Sequence, residues 1–224
     1  MIKTAYASPE EITVDRREVY RYMGCGKNNA DERVAALAES VIGEMLPRLQ
    51  CKACYDRFPV IINNDTADLG FTVTRSKNLI KNLDGCDEII LFTATAGIDA
   101  DRIIQKSSML SPLRAVAAQA VGAAAIESWC DILCGRFKAQ EERHGNYLRP
   151  RFSPGYGDLP LEMQKKIFAV LDCGRKIGVT LNESLLMSPS KSVSAIIGIG
   201  KNRLDCSHGG CASCTKTDCE FRLD

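Results

Sequence analysis

The chain has almost no net charge: 29 lysines and arginines stand against 28 aspartates and glutamates, a formal +1 over 224 residues. No field of one sign is available to hold nucleic acid or an acidic membrane. No run of 18 apolar residues occurs, and Met1-Ile-Lys-Thr leads into charge and not into a signal-peptide core. The expectation is a soluble, cytoplasmic protein. No Gly-x-Gly-x-x-Gly follows a strand pattern, which argues against a Rossmann-type fold. No internal repeat or low-complexity segment is visible, and no Cys/His or Ser/His nucleophilic constellation is evident.

What the chain has in excess is cysteine, 11 residues, an odd number. A disulfide framework is not expected in an intracellular chain of this size, so clustered cysteines point to metal and scattered ones to core filling. The cluster is at the end. Cys206-x4-Cys211-x2-Cys214-x4-Cys219 puts four thiols into 14 residues, with His208 among them. Four thiolates at this density fit a tetrahedral zinc site or an iron–sulfur cluster. Cys51-x2-Cys54 is a weaker candidate for a second site or a redox pair. Cys130 and Cys134, one turn apart beside Trp129, read as helix packing, and Cys25, Cys86 and Cys173 as core. His144 sits in a polar loop and reads as solvated.

Periodicity gives the body of the fold. A short helix is expected at 16–23, opened by Asp15 and Glu18 as a capping box. From Asp31, Val34, Leu37, Val41, Met45 and Leu46 share one helical face. Segments 58–63, 70–74 and 88–93 read as strands, with a short helix at 76–83 and another at 98–107. Pro112 opens a long helix to about residue 140, whose alanines and Gly122 allow close packing. A helix at 161–176 and a hairpin pairing 181–187 with 192–199 complete the pattern. Strands and helices do not alternate one for one. The fold expected is α+β, a mostly antiparallel, twisted sheet flanked by helices. It would comprise one domain over residues 1–200 and a cysteine-rich metal-binding tail over 201–224.

One turn has a chemistry of its own: Arg151-Phe-Ser-Pro-Gly-Tyr-Gly-Asp-Leu-Pro160. Pro154 fixes one φ and Gly155 permits a positive one, giving a tight, pre-ordered bend. Arg151 suits a carboxylate and Tyr156 offers an aromatic face to a flat ring or a sulfonium. Asp158 and Pro160 are expected to start the next helix. The plainer reading is a Pro-Gly turn with a solvated arginine.

This turn resembles the Arg-Pro-x-Pro-Gly-Tyr signature of the S-adenosylmethionine-binding activation domain of cobalamin-dependent methionine synthase. A second match follows in order: Ile177-Gly-Val-Thr-Leu-Asn-Glu-Ser184, Met187-Ser-Pro189 and Ser192-Val-Ser194. The resemblance spans roughly residues 110–198. It implies the same mixed fold. It also implies that Arg151 receives the carboxylate of S-adenosylmethionine, that backbone at Pro154 and Gly155 reads the adenosyl part, and that Tyr156 lies toward the corrin. Glu127 could face the ligand as a family glutamate does, but stays outside the site because its register is open by a turn. The family's Tyr-Ile-Asp-Trp-type motif, whose aspartate binds the ligand's amino group, is absent, and the match ends before the cysteine tail.

The function so implied is reductive reactivation of a methionine synthase-type methyltransferase. S-adenosylmethionine would be presented as methyl donor to cob(I)alamin formed from cob(II)alamin. The partner would be a separate corrinoid protein, or a methionine synthase lacking an activation domain, with an electron donor such as flavodoxin or ferredoxin. The rival function is a corrinoid-binding or iron–sulfur electron-transfer subunit that keeps the fold without using S-adenosylmethionine.

Overall fold

The computed structural model describes residues 1–25 and 31–202. In chain order the elements are β1 (Lys3–Ala7), α1 (Arg16–Tyr22), α2 (Glu32–Met45), β2 (Cys51–Pro59), β3 (Ile61–Asn63), β4 (Thr66–Asp68) and β5 (Val73–Thr74). There follow α3 (Lys77–Asn82), β6 (Cys86–Thr95), α4 (Ile98–Leu110), α5 (Pro112–Glu142), β7 (Tyr147–Leu148), α6 (Met163–Leu171) and α7 (Cys173–Ile177). The chain then runs through β8 (Thr180–Leu181), β9 (Met187–Ser188) and β10 (Ser192–Gly200).

The central sheet has the order β1-β2-β6-β10-β7, and each neighbouring pair is antiparallel. Both of its faces are covered. Ile90, Phe92 and Ala94 of β6 point into one core with α1, α2, α4 and α5, while Ile89 and Leu91 point into a second with α3, α6 and α7. That is why β6 reads as an unbroken apolar run and not as an alternation. The α+β expectation, an antiparallel sheet flanked by helices, is met.

Helix starts follow the capping residues. Asp31 accepts from Val34 N, Ser76 from Leu79 N and Ser111 from Arg114 N, with Pro112 in the first turn of α5. The small residues of α5, among them Ala117, Ala118, Val121 and Ala125, are buried against the sheet layer. This helix is long and apolar enough to cross a membrane by length and composition, but 61% of its most apolar stretch is buried within the protein. Asp15 caps α1 through Arg17 N, whereas Glu18 turns to Arg21, so the capping box does not form there.

Several expectations change. The hairpin of 181–187 with 192–199 is replaced by three pairings: β8 with β9, β10 with β6, and β10 with β7. Residues Ala195 to Ile199 alternate between the two cores that cover the sheet's faces, the place of an inner strand, whereas the 182–184 segment is exposed. The helix expected at 161–176 is broken at Asp172, whose left-handed φ of 50° separates α6 from α7. The single strand expected at 58–63 is divided at Val60 between β2, which begins at Cys51, and β3 of a second sheet; the strand expected at 70–74 is reduced to Val73–Thr74, and β1 was not anticipated.

A cleft between the N-terminal helix and the long helix

After β7 the chain runs alongside β10. Arg149 N donates to Gly198 O at 2.8 Å, and Phe152 and Ile196 exchange two bonds of 2.9 Å. Alternation in this extended segment sends Phe152 into the α6 layer and Arg151 the other way, onto α5. There one guanidinium nitrogen donates to Asp131 at 2.9 Å and to Glu127 at 3.1 Å. Burial works to lower the Arg151 pKa, but Cys130, Glu127, Cys134 and Asp131 around it outweigh that and hold it above the usual value.

Glu127 and Asp131 are one helical turn apart and line a cleft of about 450 Å³. Its other wall comes from the entry to α1: Asp15, Glu18 and Tyr22. Thr13 N, donating to Ser128 Oγ at 3.1 Å, ties that entry to α5. Four carboxylates therefore line one cleft, Glu18 already paired with Arg21, with a second arginine, Arg151, at its edge. Such a donor set suits a ligand carrying both signs of charge with positive in excess, and the volume lies in the range of small-molecule sites. Asp15 brings a carboxylate here even though the Tyr-Ile-Asp-Trp motif is missing.

The turn itself is closed internally. Gly155 N donates to Leu159 O at 2.8 Å, and Tyr156 N to Ser153 O at 3.1 Å. Gly155 takes φ 86°, which an L side chain rarely adopts. Pro154 is buried and pins the bend, so what positions 155 and 156 offer a ligand is carbonyl oxygen and the tyrosine ring. The Tyr156 ring is 63% exposed and meets Phe152 edge-on at 5.4 Å. Arg151 and Tyr156 thus project to different layers, the guanidinium onto α5 and the ring onto Phe152. Asp158 does not start α6. It accepts from Ser76 Oγ, from Lys77 N at 2.7 Å and from Asn78 N at 3.2 Å, locking the turn onto α3.

The second sequence motif is divided too. Glu183 and Ser184 lie exposed between β8 and β9, not on paired strands, while Ser194 is buried in the α6 and α7 layer. Lys191 lies across Gly122 of α5 and donates to Gln119 at 2.7 Å.

Cys206, Cys211, Cys214 and Cys219 lie outside the described residues. Among the described residues no group of three or more histidines, cysteines or acids is placed to hold a metal ion. Cys51 and Cys54 are three apart on β2, so they point to opposite faces and enter different cores. They cannot share one metal. Cys130 is buried and Cys134 half-buried along α5, as packing residues, and burial pushes the Cys134 thiol up to about 11. His144 is exposed.

The sequence offered Asp15 and Glu18 only as helix-capping residues, did not single out Asp131 and left Glu127 aside. The available signal was the spacing of Glu127 and Asp131, two carboxylates at i and i+4 on a helix otherwise rich in alanine.

Residues 79–204 match the family model for the vitamin B12 dependent methionine synthase activation domain. In three dimensions the chain is similar to a crystal structure of the MetH reactivation domain bound to AdoHcy. The TM-score is 0.66 at 15% identity, over 91% of this chain and 80% of that one. No curated protein matches the chain.

Proposed function

The chain belongs to the vitamin B12-dependent methionine synthase activation domain family, and on that premise we propose that it binds S-adenosylmethionine for reductive reactivation of a cobalamin-dependent methyltransferase. The methyl group would pass to cob(I)alamin, formed from cob(II)alamin on a partner corrinoid protein, and leave S-adenosylhomocysteine behind. Flavodoxin or ferredoxin would supply the electron.

The observation that carries this reading is the ion cluster of Arg151 with Glu127 and Asp131 at the edge of the acidic cleft. S-adenosylmethionine carries one carboxylate, one ammonium and one sulfonium, a net +1. Arg151 matches the first, and the carboxylates of Asp15, Glu127 and Asp131 match the cations, Glu18 being already paired with Arg21. Exposed Tyr156, on the same turn, is the residue free to meet the corrin. Catalysis here is positioning: the leaving group is a neutral thioether, no general base is required, and the protein's task is to hold the methyl in line. Residues 201–224 form a metal-binding tail in this proposal, with zinc or an iron–sulfur cluster on Cys206, Cys211, Cys214 and Cys219.

Calorimetry with S-adenosylmethionine tests the reading. Wild type binds, and Arg151→Ala weakens binding by about 1.5–3 kcal/mol, the scale of a charged hydrogen bond. No heat of binding to the wild type would overturn it and favour the subunit that keeps the fold without using S-adenosylmethionine.

A further inference from the structure

On the face of the sheet away from the cleft, a polar row crosses the core. Cys54 of β2 stands opposite Thr93 of β6, and Thr93 stands opposite Ser194 of β10. Directly opposed residues point to one side of a sheet, and all three are buried, none more than 1% exposed. Over the row lies Cys173, the first residue of α7, also fully buried. Its Sγ is 3.8 Å from Cys54 Sγ and 3.4 Å from Thr93 Oγ1. Ser194 Oγ is buried without a hydrogen-bond partner. The surroundings are hydrocarbon: Leu91, Ile196 and Leu171 share the same cluster. A hydrocarbon core has no packing need for two thiols and two hydroxyls in one place, and the reading of the cleft leaves them unused.

The two sulfurs are not equivalent. The Cys54 thiol donates to Cys173, which favours the Cys173 thiolate and, with burial, pushes the Cys54 thiol well above its ordinary value. Thr93 adds a second hydrogen-bonding group beside Cys173. The cover is also thin. α7 has five residues and lies between two left-handed positions, Asp172 at φ 50° and Gly178 at φ 72°. A helix of one turn opens locally at far lower cost than the core strands beneath it.

We propose that Cys54 and Cys173 are a dithiol redox site that closes to a disulfide by exchange with a low-molecular-weight disulfide such as oxidised glutathione. Opening of α7 exposes Cys173, whose thiolate attacks one sulfur of the glutathione disulfide. That S–S bond breaks, a mixed disulfide forms on Cys173, and one glutathione leaves as thiolate. This thiolate takes up the proton that Cys54 gives up, and Cys54 attacks the Cys173 sulfur. The second glutathione leaves as thiolate and takes up from solvent the proton that Cys173 had lost. Two protein thiols are oxidised and one glutathione disulfide is reduced to two thiols. The sulfurs close from 3.8 Å to about 2.05 Å, the ordinary disulfide length. The bond ties α7 to the middle of the sheet. This inference does not depend on S-adenosylmethionine binding.

Peptide mapping of the full chain tests it. Trypsin cuts after Lys52 and Arg57, and after Lys166 and Arg175, so the peptides 53–57 and 167–175 carry Cys54 and Cys173 as their single cysteines. After incubation with oxidised glutathione, acid quenching and alkylation, the expected product is these two peptides joined, lighter by two hydrogens. Amide exchange across residues 173–177 slows in the oxidised protein, and Cys173→Ser removes both effects. If that variant does not fold, mapping of the wild type alone decides. Recovery of Cys54 and Cys173 as separate alkylated peptides, or as glutathione adducts that never link, overturns the proposal.

Discussion

Arg151 and Asp131 meet at 2.9 Å, guanidinium to carboxylate, at the place where the turn after β7 touches α5. The contact fixes the arginine at the edge of the cleft and also means that a ligand carboxylate must compete for it. Charge counting decides which effect wins. Replacing Glu127 and Asp131 by Gln and Asn frees Arg151 for one carboxylate but removes two anions from a site that faces a ligand with two cations. The double variant is expected to bind S-adenosylmethionine more weakly, and to lose less affinity for the neutral thioether S-adenosylhomocysteine. Paired calorimetric titrations check this; an equal loss for both ligands would show that the carboxylates do not sense the sulfonium. Asp131→Asn alone should change stability by less than about 1 kcal/mol, because its side chain is largely in solvent.

Asp158 gives a pH signature. Hydrogen bonds from Ser76 Oγ, then from the Asn78 and Lys77 amides, hold its carboxyl below the usual aspartate value. A depressed folded pKa means that the contribution is complete above the unfolded aspartate pKa and disappears as pH falls through the folded value. Thermal melts followed down through the carboxylate range should therefore lose stability more steeply in wild type than in Asp158→Asn. The asparagine retains an oxygen for the α3 amides but no longer titrates. Parallel acid limbs would remove Asp158 as a source of the slope.

Two glycines should respond in opposite directions. A Cβ at Gly135 on the outer face of α5 meets nothing within 4 Å, so Gly135→Ala should stabilise by about 0.5–1 kcal/mol through helix propensity. A Cβ at Gly198 would stand 2.7 Å from Cys86 Sγ, 2.8 Å from Leu83 and 2.9 Å from the buried Arg149. Gly198→Ala should destabilise by about 1–3 kcal/mol, the usual cost of overpacking. Denaturant midpoints for the two variants moving the same way would contradict this packing.

The elements that could be read from sequence are those whose own residues carry the pattern. α2 has its apolar stripe and Asp31, β6 its apolar run, and α5 its proline start and small face. β2 could not be read in this way, because Lys52, Asp56 and Arg57 look like loop. Arg57 is neutralised by Glu88 and Glu141, 31 and 84 residues further on, and only the folded chain shows it. β10 looked like half of a local hairpin because proximity in sequence suggested a partner, whereas it pairs along its whole length with β6, about 100 residues earlier. The candidate site divides in the same manner. The turn at 151–156 is legible because proline, glycine and tyrosine are consecutive. The cleft is not, since Asp15 and Glu127 come together only through packing of α1 on α5.

The final prediction concerns the cysteines beyond residue 202. If Cys206, Cys211, Cys214 and Cys219 hold a low-potential iron–sulfur cluster, the chain that presents the methyl donor also relays the electron from the donor protein to cobalt. Cluster potentials extend down to about −700 mV, so a sufficiently reducing one is physically available. Replacing Cys211 and Cys214 by serine is then expected to remove the metal and any visible absorption band. It should also slow methylcobalamin formation from cob(II)alamin on the partner, while S-adenosylmethionine affinity stays unchanged. Metal analysis separates zinc from iron before any rate is measured. Zinc, or a double variant that reactivates the partner at the wild-type rate with the native donor, would leave the tail a structural or regulatory element and place the electron's route elsewhere.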